Sequence, residues 1–66
     1  MRVTVNGQEQ ELAEGTPLSS YLEFRGLDPS VIVVEYNLQI LPEQDWEGII
    51  LKENDNLEIL RFVGGG

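Results

Sequence analysis

The residues with the most chemistry to offer lie together at the end of the chain, Phe62-Val63-Gly64-Gly65-Gly66. Three glycines follow an apolar run, and the last of them carries an α-carboxylate. Glycine has no Cβ, so a run of three is poor at holding a packed conformation and loses the most entropy when it is ordered. Such a tail is suited to threading. Four residues from Val63 onward reach at most about 14 Å, at ~3.3–3.6 Å each. That carries a carboxylate away from a folded body and into the narrow active site of another protein. A frayed end or a linker remnant is the bland alternative. Three glycines alone favour that alternative; the rest of the chain reverses the order.

Few other groups in the sequence could act on a substrate. There is no cysteine and no histidine among the 66 residues. That removes a thiolate nucleophile, a disulfide, the usual base and the commonest metal ligands. Any reactive sulfur handled here comes from elsewhere. Carboxylates are plentiful but scattered over turns and a short polar stretch, with no nucleophile–base pair. Asp45, Glu47, Glu53 and Asp55 lack the spacing and the glycine of a calcium-binding loop. The glycines do not form a phosphate loop, because no helix follows them. We therefore expect no catalytic residue, no metal and no cofactor bound by this chain. Twelve acidic residues against four basic ones give a net charge of −8. That charge disfavours nucleic acid and anionic membranes and favours a partner with a basic surface. Neither a signal-peptide h-region nor a transmembrane stretch is legible, so a cytoplasmic protein is expected.

The elements that must position the tail follow from local patterns. Arg2 to Val5 alternates, with Val3 and Val5 on one face. Asn6-Gly7 is a two-residue hairpin signal, and Gln8 to Leu12 reads as a polar returning edge. Thr16 is read as a helix cap and Pro17 as the first helical residue. Leu18, Tyr21 and Leu22 form the apolar helix face, and Gly26 the stop. Val31 to Tyr36 is the most β-prone run and is expected to be the central strand. Glu35 should face water, which turns Val33 outward and Ile32 and Val34 inward. Asn37-Leu38 reads as a turn, Gln39 to Leu41 as a short strand, and Pro42 to Trp46 as a single helical turn or 3₁₀ segment opened by proline. Trp46 should plug one end of the core. Ile49 to Leu51 reads as another short strand, Glu53 to Asn56 as a turn, and Leu57 to Phe62 as the last strand. This order predicts an α+β fold of sheet on helix, with Val3, Val5, Leu18, Leu22, Ile32, Val34, Leu57 and Ile59 in the core. Leu60 and Phe62 then share the outer face beside the tail, with Val33 next to them, as a docking patch.

These residues resemble the sulfur carrier proteins of the ubiquitin-like β-grasp superfamily, and among them the ThiS family. The resemblance spans essentially the whole chain. It rests on Val3-Thr4-Val5-Asn6-Gly7-Gln8, on Val33-Val34-Glu35-Tyr36-Asn37 followed by Leu41-Pro42, and on Trp46 and Asp55. It rests also on the Phe62-Val63-Gly64-Gly65-Gly66 ending. Tyr36 departs from it, since many members carry a basic residue there. The resemblance implies a mixed sheet of four to five strands on one short helix, with a β-grasp domain over residues 1–63 and a flexible tail over 64–66. It implies a protein co-substrate, itself no enzyme and monomeric when free. A ThiF-type adenylyltransferase would use Mg-ATP to adenylate the Gly66 carboxylate. Sulfur from a cysteine desulfurase persulfide would convert it to a thiocarboxylate. The thiazole synthase ThiG would receive that sulfur for thiamin biosynthesis. Gly64 and Gly65 would line the partner's channel, and Leu60, Phe62, Val63 and Val33 would dock. A MoaD-type carrier for molybdopterin synthesis, a protein modifier and a non-catalytic binding domain remain as alternatives.

Overall fold

Asn6 and Gly7 both take positive φ, 50° and 80°, the backbone sign that a tight hairpin between twisted strands requires. They join β1 (Arg2–Val5) to an antiparallel β2 (Gln8–Glu11), with Val5 opposite Gln8 and Arg2 opposite Glu11. The computed structural model of the protein describes residues 1–62. β2 is polar along its whole length and forms one edge of the sheet, where charge discourages pairing with another chain.

A single helix, α1 (Leu18–Phe24), follows. Pro17 is its extended N-cap residue and not its first helical one. Thr16 does not cap it either, because its hydroxyl donates to the carbonyl of Ala13 at 2.6 Å. The entry is held instead by main chain: Leu18 N–H donates to Ile49 O, and Leu51 N–H to Thr16 O, both at 2.9 Å. Gly26 ends the helix with φ +70°. Its N–H returns to Glu23 O and that of Leu27 to Leu22 O, the paired bonds of a Schellman stop.

β3 (Ile32–Tyr36) and β4 (Gln39–Leu41) form a second hairpin. Its turn residues Asn37 and Leu38 have φ 48° and 74° without any glycine. The last strand, β5 (Asn56–Arg61), completes a five-stranded sheet in the order β2-β1-β5-β3-β4. β5 runs parallel to β1 and antiparallel to β3, so β5 and not β3 is the centre. β-propensity marks Val31–Tyr36 as a strand but does not fix its place in the sheet; the connections do that. Ile49 to Leu51 is no strand: Ile50 makes one bridge to Pro17, because the partner available is the helix entry.

The core lies between α1 and the inner face of the sheet. It holds Val3, Val5, Leu18, Tyr21, Leu22, Ile32, Val34, Trp46, Leu51 and Leu57. Ile59, expected inside, is only half-buried against it. Trp46 closes one end from a 3₁₀ segment, Glu43–Gly48, and its indole N–H donates to Leu41 O at 3.1 Å.

β1 stops before β5 does, and Asn6 fills the gap. Its amide oxygen accepts from Ile59 N–H at 2.7 Å, and its amide nitrogen donates to Ile59 O at 3.2 Å. The side chain thus extends the ladder by one residue. Asn6→Ala is expected to cost about 2 kcal/mol, lowering Tm by roughly 10 °C. An unchanged Tm in a thermal melt would contradict this role.

Candidate functional site

Everything that leads toward the tail comes from β5. Alternation along it turns Leu57 into the core and Glu58 and Leu60 to the opposite, outer face. The β3–β5 register sets Val33 directly opposite Leu60. Leu60 is 60 % exposed and Phe62 50 %, while Val33 is half-buried. Phe62 N–H donates to Val31 O at 3.0 Å, so main-chain pairing holds the strand to its last described residue. The fold therefore brings Val33, Leu60 and Phe62 to one region at the root of the tail. Val63, Gly64, Gly65 and Gly66 lie outside the described residues.

The same face carries a residue that sequence reasoning missed. Ile40 stands opposite Glu35 in the β3–β4 ladder and is 68 % exposed. The signal was present: if Val34 faces in and pairs with Leu41, its neighbour Ile40 must face out.

The start of β5 is fixed by a buried carboxylate. Asp55 is only 4 % exposed. One of its oxygens accepts from the Tyr36 hydroxyl at 2.8 Å and from Lys52 N–H at 2.7 Å. The other accepts from the Asn37 side-chain amide at 3.1 Å. Its main chain also joins the ladder, with Thr4 N–H donating to Asp55 O. Asp55 thus ties β1, the β3–β4 turn and the Lys52–Asp55 turn to the point where β5 begins. Burial pushes its pKa up. The bonds from Asn37, Tyr36 and Lys52 N–H, with the Lys52 charge, outweigh that and hold the carboxyl below its ordinary value. Tyr36 shifts the other way, raised by burial and by its bond to Asp55. The Lys52 ammonium lies 5.9 Å from the Tyr36 ring centroid and donates to its hydroxyl at 3.2 Å.

Other features lie apart from this face. An open groove of about 480 Å³ runs between α1 and the 3₁₀ segment, floored by Leu22, Leu27 and Trp46. Among the described residues no group of three or more acidic side chains could hold a metal ion. No described helix is long and apolar enough to cross a membrane.

A five-stranded mixed sheet grasping one short helix, with an exposed apolar patch at the root of a glycine tail, defines a ubiquitin-like β-grasp domain. Residues 3–66 match the model of the ThiS family, and the chain belongs to that family. A crystal structure of the thiamine biosynthesis protein ThiS from Geobacter metallireducens is similar over the full length of both chains. It has 29 % identity and a TM-score of 0.85. A thiazole synthase of Paramagnetospirillum magneticum is 32 % identical over 66 residues. All of this chain is covered, but the chain spans only 20 % of that relative's length. The ycf40 protein of Trieres chinensis is 37 % identical over 94 % of this chain and 85 % of its own.

Asp55 generates a pH prediction. Its folded pKa is depressed, so its contribution is full above the unfolded value of about 3.9. It is lost as pH falls through the lower folded value. Asp55→Asn should unfold more easily than wild type at pH 7 and lose less further stability between pH 5 and pH 2. Urea unfolding at those pH values checks it; an equal acid loss in both proteins would contradict it.

Proposed function

We propose that this chain is a sulfur carrier of thiamin biosynthesis. The single observation that carries the reading is the family match, which runs through the glycine tail to residue 66. The similarity to a solved ThiS protein over its whole length supports it. So does the presence of a region similar to this whole chain within thiazole synthases of two organisms, at 32 % and 30 % identity.

In this reading Gly66 presents a C-terminal carboxylate to a ThiF-type adenylyltransferase. A free carboxylate is a poor acyl donor. Attack of its oxygen on ATP, with Mg, expels pyrophosphate and leaves an acyl adenylate whose leaving group is AMP. The terminal sulfur of a cysteine desulfurase persulfide attacks the acyl carbon and displaces AMP, giving an acyl disulfide. A thiol then attacks the desulfurase sulfur, which leaves with it as a disulfide and frees the thiocarboxylate. ThiG, the thiazole synthase, takes that sulfur into the thiazole ring. ATP and Mg belong to the activating enzyme, and the chain is a recyclable co-substrate rather than a catalyst.

The described geometry supports the division of labour. Val33, Leu60 and Phe62 supply apolar area at the end of the described chain, and in this reading Val63 docks with them. Gly64 and Gly65 pass through a channel where a side chain would clash.

ATP–pyrophosphate exchange with the ThiF-type enzyme tests this. Gly65→Ala should lower the exchange rate by about 10²-fold, as misplacement of a reacting group does. Its Tm should match that of wild type. Full exchange by the variant would contradict the channel, and a lowered Tm would make Gly65 structural.

A further inference from the structure

Glu35 and Glu58 stand directly opposite each other in the β3–β5 ladder. Ile59 turns its N–H and C=O toward Asn6, on the β1 side. Glu58 therefore turns its own toward β3, and the two glutamates form a hydrogen-bonded pair with Cα atoms about 5.5 Å apart. Both side chains leave the sheet on the outer face. Both are half-buried. Like charges in this arrangement destabilise an antiparallel pair. The ion pairs among the described residues lie elsewhere, between Glu9 or Glu11 and Arg2 or the N-terminal ammonium. None relieves Glu35 or Glu58.

The position of this pair gives it meaning. Ile40 flanks Glu35 on the β4 side. Val33 and Leu60 form the next outward row along the same two strands, toward the tail. A partner that covers both Leu60 and Ile40 must also cover the two carboxylates and strip water from them. Dehydrating adjacent carboxylates without a counter-charge is strongly unfavourable. The covering surface must bring a cation.

We propose that Glu35 and Glu58 together receive one basic side chain, an arginine, at the centre of the partner surface that docks on the outer face. This rests on the reading of that face given under Proposed function. A planar guanidinium presents its donors in a fork and can engage both carboxylates at once. The repulsion present in the free carrier is relieved only in the complex. The pair thereby selects a basic docking partner against other apolar surfaces. The net charge of −8 steers the same partner from a distance.

Calorimetric titration with the ThiF-type adenylyltransferase, at several salt concentrations, tests the proposal. Glu35→Gln and Glu58→Gln should each weaken binding by at least about tenfold and flatten its salt dependence. Neither should lower the Tm of the free carrier. Leu60→Glu is the control for the face itself and should also weaken binding. Wild-type affinity in both glutamine variants, with binding lost in Leu60→Glu, would overturn the arginine site and leave the docking face standing. Wild-type affinity in all three variants would overturn the docking face and the proposal with it.

Discussion

The structure depends on how one strand is held. β5 must be gripped along its length, up to the Phe62 N–H bonded to Val31 O. Three polar side chains do the gripping. Asp55 ties the strand's start to Tyr36, Asn37 and the Lys52 main chain. Asn37 also accepts from Asn56 N–H at 2.8 Å. Asn6 takes over at Ile59, where β1 has ended. Beyond that, among the described residues, the β3 side supports the strand, with Phe62 N–H donating to Val31 O. Buried polar groups are costly unless satisfied, and here each bond also fixes direction. The direction of the strand is thereby set from Asp55 to Phe62.

The central place of β5 also separates the two faces of the sheet. Leu57 enters a core built with Val3, Val5 and Val34, while Glu58 and Leu60 point away from it. β5 is paired on both sides as far as Ile59 and with β3 beyond it. In the proposed function, partners supply the chemistry and the chain supplies a docking surface and the Gly66 carboxylate.

Much of this was legible in the sequence where local rules decide. Asn6-Gly7 specified the first hairpin, Gly26 the helix stop, and the parity of Val33, Leu60 and Phe62 their common face. Long-range pairing was less accessible. Val31–Tyr36 is the most β-prone stretch, but the central place goes to β5, which pairs with the first strand across the whole chain. Thr16 has the chemistry of a cap, yet its hydroxyl finds Ala13 first. Ile49–Leu51 has strand composition but only the helix entry beside it. Asp55 gave no sign of its burial, because its partners Tyr36 and Asn37 are 19 and 18 residues away. Ile40 could have been placed by register, once Val34 was known to face inward.

Thiocarboxylate formation at Gly66 is read most directly from the intact mass. The full chain would be incubated with ATP, a ThiF-type adenylyltransferase, a persulfide sulfur donor and a thiol reductant. The expected result is a gain equal to one oxygen replaced by sulfur, mapped by fragmentation to Gly66. An unchanged mass, with Gly66 intact and the enzyme active on a known carrier, would contradict it and leave a β-grasp binding domain in its place.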